Sequence, residues 1–109
     1  MKGTHLGEFE ELVILVVASL AGNAYAVSVK DELADKVNRK TNISAVHSTL
    51  YRLEDKGLLE SEIGGATNTR GGKSKRIFKV TAYGFKALND AEDQRAIFRN
   101  LIPQLSGSK

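Results

Sequence analysis

The chain contains no cysteine. That excludes a disulfide framework, a cysteine zinc site and a thiol nucleophile together. It contains no tryptophan, one proline and two histidines, His5 and His47. Neither histidine has a second ligand at metal-binding spacing, so no metal or catalytic centre is expected. Long apolar runs are missing too. The most apolar, Leu12 to Ala21, is ten residues, about half of what a bilayer span needs. It follows Glu8, Glu10 and Glu11, where a secretory leader would be positively charged. A cytoplasmic protein with no membrane partner and no cofactor is expected.

Acid is absent from one stretch. Between Ile63 and Asn89 there are six Lys or Arg and no Asp or Glu. Residues 1–63 carry seven basic against ten acidic side chains, and residues 64–109 carry nine against three. The overall net charge of +3 therefore conceals an acidic first part and a strongly basic second part. Such an asymmetry suggests contact with a polyanion. The 109 residues make one domain, with a modest core that a second copy would complete.

Periodicity then orders the chain. Residues 7–20, GEFEELVILVVASL, are apolar nearly all round and predict a buried helix. A second helix is expected over 24–38, with Asn23 as its N-cap and Val29, Leu33 and Val37 on one face. The third helix follows Asn42, another cap, and shows Ile43, Val46, Leu50 and Leu53 as one stripe. Gly57 stands where a left-handed residue ends a helix, with Leu58 placed to meet Leu53. Beyond it the period drops to two. Leu59, Ser61 and Ile63 alternate with Glu60 and Glu62 as a strand, and KRIFKV (75–80) reads as a second. The two acids are expected beside Lys75 and Lys79 of that strand. Thr81 caps a last helix running to about Ile102, with Pro103 as its stop.

The order helix, helix, helix, strand, basic loop, strand, helix is that of an α+β, mostly α, winged helix-turn-helix: three helices, a two-stranded wing, and one further C-terminal helix. The expected division is a DNA-binding domain over 1–81, a dimerisation helix over 82–105 and a frayed tail over 106–109. The third helix would read DNA. Its face opposite the stripe holds Ser44, Ala45, Ser48, Arg52 and Asp55. Small and hydroxyl residues near a helix N-terminus permit close approach to a groove, and Arg52 reaches phosphate or a guanine edge. His47 and Tyr51 flank this face. On the wing, RGGKSKR places Arg70, Lys73, Lys75 and Arg76 around two glycines, suited to a phosphate strand.

Other chemistries fit less well. Gly72-Lys73-Ser74 ends like a phosphate-binding P-loop, but Thr67 stands where its first glycine belongs, and a strand follows rather than a helix. Glu60 and Glu62 lack the cleft that a glycosidase pair requires. No catalytic residue is identified. On the last helix Leu88, Ala91, Phe98, Ile102 and Leu105 recur at heptad-like steps, interrupted by Arg95. With Leu12 of the first helix they suggest pairing with a second copy, which would suit a palindromic operator.

Three segments in this order, LGEFEELVILVVASLAGNAYAVSV, ISAVHSTLYRLEDKGLLES and RGGKSKRIFKVTAYGFKAL, resemble the PadR family of bacterial transcriptional regulators, including its Thr-x-x-Gly step at Thr81 and Gly84. The resemblance implies a homodimeric DNA-binding repressor, often released by a small-molecule effector. The single C-terminal helix is similar to the short subfamily, in which a pore opens between protomers. Three positions depart from the pattern: His47 replaces a Tyr, Ala26 replaces a Gly, and the ligand-stacking Trp is absent. An effector sandwich would have to use Phe9 or Phe98. Two other functions stay open: a small-molecule sensor whose dimer pore is the main site, and a winged helix used only for protein contacts.

Overall fold

The computed structural model describes residues 5–64 and 75–104. The elements run α1 (Glu8–Leu20), α2 (Ala26–Val37), α3 (Ile43–Asp55), β1 (Leu59–Gly64), β2 (Lys75–Val80) and α4 (Ala82–Leu101). Three helices, an antiparallel hairpin and a closing helix make the winged helix-turn-helix architecture expected from the sequence.

The core collects one side of every element. Val13, Ile14 and Val17 of α1 meet Val29 and Leu33 of α2, and Val46, Leu50 and Leu53 of α3. Leu58, Leu59 and Phe78 seal the hairpin end, and Ala87 and Leu88 bring in α4. Only part of α1 is covered, for Leu15 is exposed.

Local sequence explains α3 at both ends. The Asn42 side chain accepts from the Ala45 amide at 2.8 Å, satisfying one of the open N–H groups of the first turn. At the other end Gly57 has φ +81°. There its amide donates to Glu54 O, and the Leu58 amide donates to Leu53 O, both at 2.9 Å. That pair of bonds is the Schellman ending, which favours glycine because a Cβ opposes the left-handed backbone.

The start of α2 differs from expectation. The helix begins at Ala26, after Tyr25, and Asn23 does not cap it. Ser28 does the capping: its hydroxyl accepts from the Tyr25 amide at 2.9 Å and donates to Asn23 O at 2.7 Å. Ala24 is engaged elsewhere, in an isolated antiparallel bridge to Phe78, with Phe78 N donating to Ala24 O at 2.8 Å. The helix also stops at Val37, since Asn38 takes a left-handed conformation.

The register of the hairpin, Leu59 opposite Val80, corrects a second expectation. Glu60 lies opposite Lys79, their charges 4.0 Å apart, but Glu62 faces Ile77 and Lys75 faces Gly64. The buried pair Leu59 and Phe78 fixes this alignment, because a one-residue slip would turn the core face outward.

Helix α4 divides along its length. Thr81 caps it by accepting from the Gly84 amide at 2.9 Å. Gly84, Ala87 and Leu88 are buried against the body. Farther on, Ile97, Phe98, Leu101 and Ile102 are all more than half exposed. The heptad-like stripe is thus split: Leu88 is 6% exposed and serves its own chain's core, Ala91 is half-buried, and Phe98 and Ile102 face outward. Leu12, on α1, is partly buried against the same core. Leu105 lies outside the described residues.

Candidate nucleic-acid interface

Helix α3 presents Ser44, His47, Ser48, Tyr51, Arg52 and Asp55 to the outside, with Ala45 half-buried. The apolar stripe on the opposite side supplies the core contacts of the helix, which leaves this face largely open to solvent. It begins at a capped N-terminus, where backbone N–H groups favour an anion.

The wing is joined to this face by rings. His47 stacks on Tyr51, with centroids 6.0 Å apart and planes inclined by 8°. Tyr51 in turn meets the edge of Phe78 on β2 at 5.8 Å. Phe78 is buried in the core, so the aromatic row anchors the flank of α3 to the hairpin. A polar row runs beside it. Arg76 donates to Ser61 Oγ at 3.0 Å, and Ser61 donates to Glu54 of α3 at 2.7 Å.

Lys75 and Arg76 are both exposed on β2. The Lys75 ammonium lies 4.3 Å from the centre of the Tyr25 ring, a cation–π contact that aims the start of β2 toward α2. The other two wing cations named from the sequence, Arg70 and Lys73, lie outside the described residues.

The opposite flank of α3 is held by a carboxylate. Glu10 of α1 has a side chain only 11% exposed. Its Oε1 accepts from the Gly7 amide at 2.9 Å. Lys56, the C-cap of α3, donates to both oxygens at 3.2 and 3.0 Å. Arg52 approaches to 3.7 Å. Burial works to raise the Glu10 pKa, but the Gly7 amide, Lys56 and Arg52 outweigh it, leaving the carboxyl below its ordinary value of 4.5.

The sign of the resulting pH dependence follows from linkage. A lowered folded-state pKa contributes stability that is complete above the unfolded value and is lost as pH falls through the folded one. The Glu10→Gln variant lacks this contribution. Its deficit in urea midpoint against the wild type is therefore expected to be constant above about pH 5 and to shrink below pH 4.5. A deficit that does not change down to about pH 3 would contradict it.

Sequence reasoning missed Glu10, Lys56, Tyr25, Ser61 and Glu54. The spacing of Gly7 and Glu10 signals a bond at the helix start, but nothing local pairs Glu10 with Lys56. The two phenylalanines named for an effector stand in different settings. The Arg39 guanidinium covers Phe9, 5.2 Å from its ring centre, while donating to both oxygens of Glu8. Phe98, 71% exposed, lines an open groove with Gln94, Arg95, Arg99 and Ile102. A separate cleft of about 370 Å³ between α1 and α4 is lined by His5, Leu6, Glu11, Asp90, Ala91, Gln94 and Arg95, with Arg95 bonded to Glu11. Among the described residues no cluster of three or more His, Cys, Asp or Glu side chains could hold a metal ion, and no helix is long and apolar enough to cross a membrane.

No protein-family model and no curated protein sequence matches the chain. Solved structures do. A PadR-like transcription factor from Bacteroides fragilis is similar with a TM-score of 0.73 at 20% identity, over 85% of this chain and 84% of that one. A PadR family transcriptional regulator from Eggerthella lenta gives 0.65 at 27% identity, over 85% and 80%. Bacillus subtilis PadR, solved in complex with operator DNA, gives 0.65 at 13% identity, over 90% of this chain and 49% of that one. The fold is that of the PadR-like transcriptional regulators.

Proposed function

We propose that this chain is a sequence-specific DNA-binding transcriptional regulator that works as a homodimer. The observation that carries the proposal is the joining of α3 to the wing. The His47–Tyr51–Phe78 row and the Arg76–Ser61–Glu54 row hold the exposed serines of α3 and the cations of β2 in one fixed arrangement. Base edges would be read by Ser44, Ala45 and Ser48, which are small enough to let the helix enter a major groove. His47, Tyr51 and Arg52 flank them toward phosphate, and Lys75 and Arg76 of β2, with Arg70 and Lys73 just before them in the sequence, supply counterion release. The operator-bound structure of the Bacillus subtilis neighbour supports the same use of the fold.

A second copy is the partner proposed for α4. Ile97, Phe98, Leu101 and Ile102 leave an apolar end that the described residues of one chain do not cover. Covering it with its own twofold mate places two copies of α3 on one duplex. Repression relieved by a small molecule is the finer form of this proposal. Within one protomer the α1–α4 cleft, rather than Phe9 under its arginine, offers such a ligand room.

Selection of bound duplexes from a random pool tests the reading, with a palindrome as the expected product. Replacing Lys75 and Arg76 together by Ala is then expected to weaken operator binding. The plot of log K against log salt should flatten by about 0.9 for each phosphate no longer neutralised, near 2 per protomer. Unchanged affinity and slope would remove the wing from the interface. Recovery of no duplex even at low salt would leave the fold to protein contacts.

A further inference from the structure

The flank of α3 nearest α1 carries two cations, Arg52 and Lys56, and both lie against one carboxylate. We infer that Glu10 sets the discrimination between operator and nonspecific DNA by holding Arg52 and Lys56 against α1, in competition with backbone phosphate. The inference rests on the DNA-binding reading above and assigns a specificity role to a residue outside the reading face.

Glu10 does more than start a helix. Closing the first turn of α1 needs only one acceptor for the Gly7 amide, which Oε1 supplies. The second oxygen and the charge are turned to α3. A lysine at a helix C-cap ordinarily gains by staying near the last carbonyls of its own helix. Here Lys56 Nζ reaches across 46 positions of sequence to donate to both Glu10 oxygens. The carboxylate cannot swing out to follow its partners, being nearly buried and pinned by a backbone amide.

The two cations are held unequally. Lys56 makes hydrogen bonds and is 35% exposed, whereas Arg52 is 52% exposed. At 3.7 Å its contact with Glu10 exceeds hydrogen-bond range. Charge alone holds Arg52, and a guanidinium has five donors to offer elsewhere. Arg52 is therefore the group a phosphate would draw away first.

Nonspecific binding is nearly all phosphate attraction. On a random sequence nothing else repays Arg52 for leaving Glu10, so the carboxylate subtracts from that affinity. On the operator, base contacts from Ser44 and Ser48 seat α3 and bring the flanking phosphate to Arg52 where it stands. Glu10 thus lowers one affinity more than the other.

The Glu10→Gln variant keeps acceptor and size and removes the charge. In salt titrations with a random duplex, its slope is expected to steepen by about 1 per protomer, the value for one more phosphate neutralised by each, and its affinity to rise about tenfold for each such contact near 0.1 M salt. Operator affinity should change less than about threefold, so the ratio of the two falls. Adding Arg52→Gln to the variant should cancel the nonspecific gain. Equal weakening on both duplexes would mean a structural role and overturn the inference, as would unchanged nonspecific affinity and slope. If Glu10→Gln does not fold, Arg52→Gln alone decides the matter. It should weaken operator binding and leave the nonspecific slope unchanged, and a slope flattened by about 1 per protomer would overturn the inference. Wild-type protein that binds no duplex sinks the DNA-binding reading itself, whereas normal wild-type binding with an indifferent variant sinks only the role of Glu10.

Discussion

Replacing Gly84 by Ala is expected to destabilise the protein by about 3 kcal/mol, a fall in Tm on the order of 15 °C for a domain of this size. The direction is opposite to what helix propensity predicts, since Gly to Ala inside a helix ordinarily stabilises by up to about 1 kcal/mol. Geometry reverses it. A Cβ at Gly84 would stand 2.2 Å from the Leu58 carbonyl oxygen and 2.7 Å from Val80 Cγ1. The oxygen is backbone and cannot turn aside. It already accepts from the Thr81 amide at 3.2 Å, while the Leu58 amide closes the end of α3 on Leu53. Relief requires α4 to lift or the Schellman ending to open, and either displaces the α3–wing surface. Thermal denaturation of the variant checks this; a Tm equal to or above the wild type would show that α4 is free to move at that point.

Phe78→Ala is expected to cost about 3–5 kcal/mol, the range for removing a buried aromatic ring. That is a large share of the roughly 5–15 kcal/mol by which small domains are stable. Phe78 is 2% exposed and touches three parts of the fold at once. Its ring fills the core and supports Tyr51, and its amide bonds to Ala24. Because Tyr51 carries His47, the variant should also lose operator affinity at temperatures where it is folded. Phe78→Leu, which keeps most of the volume, should recover the larger part of the stability while Tyr51 still lacks its ring partner. Urea denaturation separates the two effects from the DNA titration. A stability loss below about 1 kcal/mol in the alanine variant would mean that the cavity collapses without strain.

The parts of this structure legible in the sequence are those with local causes. Helix α3 has its cap, stripe and stop within sixteen residues, Asn42 to Gly57, and each of these signals is met in the structure. The strand bounds of 75–80 and the Thr81 cap are local in the same sense. Where the sequence misled, a distant residue decided. Asn23 is a good cap by type, but the Ala24–Phe78 bridge claims the backbone there and leaves the capping to Ser28. The acids of β1 match Lys75 and Lys79 by sign, but only the register pairs them, and the register depends on which residues the core accepts. Leu88 and Phe98 look alike on a heptad stripe, yet only packing shows that one is core and the other uncovered. The exposed face of α3 was legible because it is what an amphipathic stripe leaves over. The Glu10 cluster was not, because ion pairs between α1 and α3 leave no periodic trace.

The Ala24–Phe78 bridge also bears on the order in which the molecule assembles. A two-stranded hairpin is marginal in water by itself, and this one is joined to the helical body through residues more than fifty positions apart. Such closure carries a heavy entropic cost until the turn between α1 and α2 is in place. The wing is therefore expected to form late in folding. Its amides should also be among the first to exchange in native-state hydrogen exchange, ahead of those in the middle of α3.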